Sequence, residues 1–286
     1  DYINWTNTGT TDIGAVTYDV YTQGALTLQV AGAVGVPTPA SMNLSDLNGS
    51  GGFRLDGEAV GDRSGFSVSS AGDVNGDGYD DLIIGAPSAD PNGDYSYSGA
   101  SYVVFGGVAD MGASVDLSTL DGTNGFRLDG ELTNDNSGYS VSSAGDVNGD
   151  GYDDLIIGAN FADPNGDYSY SGASYVVFGT GSAFASTIDL SFLSGTTAPG
   201  DIIDIVDPSI LGVTNGFRLD GEANGNTGIS VSSAGDVNGD GYDDLIIGAN
   251  SASPNGDYSG SSYVVFGGAA DMGASVDLST LDGTNG

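Results

Sequence analysis

The 286 residues carry 39 acidic groups against four arginines, with no lysine, histidine or cysteine, for a net charge of −35. A surface of that sign repels nucleic acid and anionic membrane, and a chain lacking those residue types cannot build a serine triad, a Schiff base, a thiol nucleophile or a disulfide framework. Fifty glycines beside eight prolines make a turn-rich composition without a collagen period, while the hydrophobic content suffices for a packed core.

Residues 1–40 match nothing else in the chain and read as a non-repeat N-terminal β segment and linker. Val16, Tyr18 and Val20 alternate, Gln23 and Gly24 suit a turn, and Leu26, Leu28 and Val30 alternate again, which predicts a hairpin. Pro37 and Pro39 mark the linker. Trp5 reads as a packing residue, and Asn4-Trp5-Thr6 is formally a glycosylation acceptor. No apolar stretch approaches transmembrane length, so direct membrane insertion is not expected. The chain begins at Asp1 without a signal peptide, and a mature or excised piece is the expectation.

From residue 41 a repeat takes over. SMNLSDLNGSGGFRLDGE (41–58) is echoed by SVDLSTLDGTNGFRLDGE (114–131), and the first half of that echo returns at 275–286. The chain stops where the next FRLDGE would begin, as expected of a fragment or processed form of a longer array. The units divide as 41–131, the first repeat with its leading strand; 132–221, the second with an insertion at 195–212; and 222–286, the third with the start of a fourth. The insertion contains DIIDIVDP and is expected to form an extra loop or short strand. In the first unit, 65–72, 81–86, 100–105 and 125–128 are short, β-rich and bounded by glycine. Four such strands with turns between them describe one antiparallel propeller blade, so the expected fold is all-β, with three blades and a partial repeat.

The stretch GDVNGDGYDDLIIGA occurs unchanged at 72–86, 145–159 and 235–249. Asp73, Asn75 and Asp77 stand at alternate positions, Gly76 and Gly78 permit a tight turn, the Tyr79 carbonyl adds an oxygen, and Asp81 closes the loop. Such a loop suits a hard cation: calcium takes six to eight oxygens, whereas magnesium retains its waters. An EF-hand would need a bidentate acid at the twelfth position, where this chain has Ile84, Ile157 or Ile247, and the flanking segments read as strands. The competing reading is an acidic β-turn without metal; against it, three aspartates in one loop repel one another without a counter-ion.

YVVFG at 102–106 and IIGAP at 83–87 contain the Phe-Gly and Gly-Ala-Pro signatures of the FG-GAP repeat, and the loop between the first two strands resembles the calcium loop of integrin-α propellers. The resemblance covers about 41–286. It departs where Asn160 and Asn250 replace Pro87, and in offering three blades where the family usually closes a ring of seven. Spacing and family pattern together assign about three Ca2+ sites: Asp73, Asn75, Asp77, Tyr79 and Asp81; Asp146, Asn148, Asp150, Tyr152 and Asp154; Asp236, Asn238, Asp240, Tyr242 and Asp244. Asp80, Asp153 and Asp243 are expected to point away and be solvated. Asp90-Pro-Asn92-Gly-Asp94, echoed by Asp163, Asn165 and Asp167, is a weaker cation candidate that also reads as a plain turn, with Ser253 replacing the first acid in the third unit.

Arg54, Arg127 and Arg218 recur in FRLD and are expected to pair with a nearby aspartate. By the integrin-like pattern, the loops opposite the calcium ends would meet a partner, and Tyr95, Tyr97, Tyr168, Tyr170 and Tyr258 lie among small polar neighbours there. Calcium loops fill readily outside cells, so a secreted or cell-surface location is expected, and the resemblance suggests a bacterial multi-repeat protein. The expected role is a non-catalytic, calcium-stabilised adhesion or scaffold module. Its expected partner is an extracellular protein or glycan, or other copies of itself. The alternative is a fibre subunit joined by strand addition between copies; a carbohydrate-active propeller, using a carboxylate pair, is the least favoured.

Overall fold

A computed structural model describes residues 6–13, 16–23, 26–31, 43–91, 93, 97–107, 111–164, 166, 169–194, 216–269 and 274–286. The chain divides into two units, Asp1–Leu47 and Asn48–Gly286. In the first, β1 (Thr6–Ile13), β2 (Val16–Gln23) and β3 (Leu26–Ala31) form an antiparallel sheet in that order. β2 and β3 are the hairpin expected from alternation, paired from Tyr18 opposite Ala31 to Gln23 opposite Leu26. β1 is an additional strand; its TNTGTTDI sequence has no apolar alternation, and its β preference rests on threonine branching. Trp5, Gly24, Pro37, Pro39 and the 195–212 insertion lie outside the described residues.

The second unit is built from repeated antiparallel sheets. β4 (Arg54–Asp56) leads in. The first blade then contains β5 (Ser67–Gly72), β6 (Asp81–Ala86), β7 (Ala100–Val104), a short β8 (Ser114–Asp116) and β9 (Gly125–Asp129). The second contains β10 (Ser140–Gly145), β11 (Asp154–Ala159), β12 (Ala173–Val177), β13 (Thr187–Asp189) and β14 (Gly216–Asp220). The third contains β15 (Thr227–Gly235), β16 (Asp244–Ala249), β17 (Ser261–Val265) and β18 (Ser275–Asp277). Strands β5-β6-β7-β9 and β10-β11-β12-β14 are the expected four-stranded antiparallel blades. The fold is all-β and propeller-like, with β5, β10 and β15 side by side as the first strands of successive blades.

Each of those two sheets has a fifth strand not foreseen from sequence. β13 pairs in parallel with β9, and β18 with β14, just as β8 pairs with β4. The three-residue SVD or TID segment therefore leaves its own blade and closes the edge of the preceding one. It is too short to show a period of its own, so only the partner edge reveals it.

Packing explains why the second strand reads Leu-Ile-Ile without alternation. Ile83 and Val103 of the first blade share a core with Leu155, Ile157, Tyr175 and Val177 of the second. Ile156 and Val176, on the other face of the second blade, pack with Leu245, Ile247 and Val265 of the third. A sheet covered on both faces needs apolar residues at consecutive positions. Phe184 completes the first junction by stacking on Phe126, with centroids 4.4 Å apart.

Candidate metal centre

Each recurrent loop joins the first two strands of its blade: 73–80 between β5 and β6, 146–153 between β10 and β11, and 236–243 between β15 and β16. In the first loop, Asp73 Oδ1 accepts the Asp77 amide at 3.0 Å and Asp73 Oδ2 the Gly78 amide at 2.9 Å. Asn75 Oδ1 also accepts from Asp77 N at 2.9 Å, and Asp77 Oδ1 accepts from Tyr79 N at 2.9 Å. These bonds wind the backbone around its own short side chains. Gly76 and Gly78 meet that curvature at φ of +72° and +90°, where a side chain would be strained.

The second and third loops repeat the pattern through Asp146, Asn148 and Asp150, and through Asp236, Asn238 and Asp240, with corresponding distances of 2.8–3.0 Å. Asp81, Asp154 and Asp244 are fully buried at the base of the loops. Each accepts two backbone amides: Asp81 from Val74 and Gly106, Asp154 from Val147 and Gly179, Asp244 from Val237 and Gly267. The second of these amides belongs to the glycine of the Phe-Gly signature or its equivalent, so that signature anchors the loop base to the end of the third strand.

Burial pushes the Asp81 carboxyl up to about 6 and the Asp154 carboxyl up to about 8, opposed by the two amide bonds and reinforced by the neighbouring loop aspartates. Among the described residues, no group of three or more carboxylates converges as a closed metal-binding cluster. The donor chemistry nevertheless fits calcium. Each loop offers three carboxylates, an amide oxygen and the carbonyl of Tyr79, Tyr152 or Tyr242, and a carboxylate oxygen holding one N–H retains a second lone pair.

The expectation for Asp153 and Asp243 is corrected. Asp153 Oδ2 accepts the Asp73 amide of the preceding loop at 2.8 Å, and Asp243 Oδ2 accepts the Asp146 amide at 3.0 Å. Strand parity placed these side chains away from their own loop, but it could not show that the neighbouring loop lies there. The sequence carried no signal for it, since the whole stretch is unchanged in all three copies, exposed positions included. Asp80 makes no such bond among the described residues. Of the second cation candidate, Asn92, Asp94, Asn165 and Asp167 lie outside the described residues, as do Tyr95 and Tyr168; Gly93 N to Asp90 O and Gly166 N to Asp163 O close turns there.

The arginines pair as expected: Arg54 with Asp56, Arg127 with Asp129 and Arg218 with Asp220. Sequence reasoning missed the glutamates. Glu58 accepts from Arg127 Nη1 at 2.9 Å and from the Tyr102 hydroxyl at 2.9 Å, and Glu131 accepts from Arg218 Nη1 at 3.0 Å and from Tyr175 at 2.8 Å. Each glutamate follows the last strand of one blade and is held by the third and fourth strands of the next.

The FG-GAP repeat family matches residues 64–104, 137–177 and 227–265, each span running from the first strand through the loop to the third. The chain carries three FG-GAP repeats. Similar proteins include integrin alpha-PS2 of Drosophila melanogaster, 30% identical over 207 residues, covering 70% of this chain and 12% of the relative. Integrin alpha-IIb of Mus musculus is 28% identical over 203 residues, or 70% of this chain and 16% of the relative. Phosphatidylinositol-glycan-specific phospholipase D of Bos taurus is 36% identical over 137 residues, 42% of this chain and 15% of that enzyme. The chain thus spans only 12% to 16% of the first relatives it matches. In each FG-GAP repeat the acidic loop and the buried Asp81, Asp154 or Asp244 fall inside the matched span.

Proposed function

We propose that this chain is an extracellular adhesion or scaffold segment whose FG-GAP blades are stiffened by calcium, without catalysis. The reading rests on one observation above others: three blades present the same loop, with the same five oxygen donors, the same amide bonds and a buried aspartate at its base. Asp73, Asn75, Asp77, the Tyr79 carbonyl and Asp81 would hold the ion in the first loop, and the residues equivalent to them would do so in the other two. Bound calcium supplies charge neutralisation and an oxygen-coordinated closure of the hairpin.

Magnitude favours a structural role. At free calcium a hundredfold above Kd, each site contributes about 2.7 kcal/mol, and three about 8. That is comparable to the whole stability of an ordinary domain, about 5–15 kcal/mol. Three dications would still leave a net charge near −29, so most of the acid remains solvated. Nearly every acid recurs blade by blade, whereas a catalytic pair should break that symmetry, and the phospholipase D likeness covers 15% of that enzyme.

Likeness to integrin alpha chains supports a secreted or cell-surface setting and an extracellular protein or glycan partner. No helix among the described residues is long and apolar enough to cross a bilayer. The loops joining the second and third strands lie at the end of the blades opposite the acidic loops. There Tyr97, Tyr170 and Tyr258 are exposed and share φ of +49°, +46° and +55°. Tyrosines held in that conformation at equivalent positions suit a repeated contact surface.

A calorimetric melt in calcium and in chelator tests the reading. Chelation is expected to lower Tm by many degrees; superimposable melts would exclude a structural calcium. A glycan and matrix-protein binding screen of the calcium-loaded chain, repeated with Tyr97, Tyr170 and Tyr258 changed to serine, tests the contact face.

A further inference from the structure

We infer that the acidic loops do not bind independently but are coupled, each through the aspartate and tyrosine that the following loop places on it; this rests on the calcium reading above. The contacts are the same at both junctions. Asp153 accepts the Asp73 amide and returns its own N–H to the Asp73 carbonyl at 3.3 Å, so the first ligand residue of loop one is gripped at both backbone polar groups. Asp243 does the same to Asp146, with the return bond at 3.2 Å. Beside each aspartate a tyrosine roofs the preceding loop: a methyl group at Gly76 would lie 2.3 Å from Tyr152 Cε1, and one at Gly149 2.4 Å from Tyr242 Cε1.

The third loop serves as an internal control. Nothing lies within 4 Å of a methyl group built at Gly235 or Gly239, and Val237 is 57% exposed where Val74 and Val147 are buried. The roof is therefore a property of the junction, not of the loop sequence.

Asp153 stands between two of its own loop's donors, the Tyr152 carbonyl and Asp154. Whatever fixes those two also fixes the peptide that carries the Asp153 carboxylate and the Tyr152 ring. Ordering loop two thereby preorders Asp73 and the Gly76 turn in loop one, and by linkage ordering loop one favours loop two to the same degree. Asp243 and Tyr242 connect loops three and two in the same way. Asp153 and Asp243 are positioning residues, acting through the loop they cap and not as ligands.

The test is a calcium titration of the 286-residue chain followed by the amide resonances of Gly78, Gly151 and Gly241, one reporter per loop. In Asp153→Ala the midpoint at Gly78 is expected to rise about tenfold, within the usual range of site coupling, while Gly241 stays near its original value. Asp153→Asn, which keeps an acceptor oxygen, should recover most of the Gly78 affinity. Asp154→Asn, which leaves Asp153 in place but weakens loop two, should also raise the Gly78 midpoint. Equal midpoints at Gly78 in the wild type and all three variants would overturn the coupling while leaving calcium binding intact. A wild-type chain in which no reporter responds to calcium would overturn both.

Discussion

Glu131 and Arg218 meet across the boundary between two blades, with Arg218 Nη1 3.0 Å from Glu131 Oε2 and side chains only 4% and 7% exposed. The two residues are 87 positions apart, and Tyr175 and Asp220 saturate the same group of charges. Burial at that depth is tolerable only because every charge has a partner.

Removing one partner should therefore be costly. Glu131→Ala is expected to destabilise the chain by about 2–4 kcal/mol, because it leaves the buried Arg218 Nη1 and Tyr175 hydroxyl without their acceptor while Asp220 still holds the rest of the guanidinium. Asp56→Ala is expected to leave stability close to that of the unaltered chain, since Arg54 and Asp56 are 66% and 41% exposed and water replaces the lost bond. Denaturant melts of the two variants, read side by side, check the contrast.

The glycine of the second strand is fixed by the neighbouring blade. A methyl group at Gly158 would come 2.1 Å from the Gly228 carbonyl oxygen of the next blade, whereas at Gly248 the nearest obstacle is the movable Ser230 Oγ. Gly158→Ala should cost about 1–3 kcal/mol or more through forced separation of the blades. Gly248→Ala should cost less, and Tm shifts of the two variants would rank them.

Stability should also depend on pH in a direction set by the buried acids. Asp81, Asp135 and Asp154 are raised to about 6, 7 and 8, chiefly by burial. Without calcium the folded state holds these protons more tightly than the unfolded chain, so stability is greatest at acid pH and falls as pH rises from about 4 to 8. The chain has no histidine, cysteine or lysine, so apart from the α-amino group these buried acids dominate between pH 6 and 8. Melts of the metal-free protein should show a falling Tm over that interval, flattened in Asp154→Asn. Saturating calcium should remove the part of the fall that comes from Asp81 and Asp154, because the ion replaces the proton as counter-charge, and leave the part from Asp135, which lies in none of the acidic loops.

The fold was legible where the chemistry is local. Alternation of Val16, Tyr18 and Val20 against Leu26, Leu28 and Val30 marked the hairpin, and glycine-bounded apolar runs located the blade strands within one or two residues. Pairings between modules were not legible. Asp153 looked solvated because strand parity reports only which side a residue faces; what occupies that side is decided by the next blade. For the same reason Arg127 could be matched with Asp129, two residues away, but not with Glu58 at a distance of 69.

Direct calcium counting tests the central claim most sharply. Isothermal titration of the chelator-stripped chain should reveal about three ions bound per molecule, falling to about two when Asp77 is changed to alanine. Absence of saturable uptake in the unaltered chain, or a count that Asp77→Ala leaves unchanged, would contradict it.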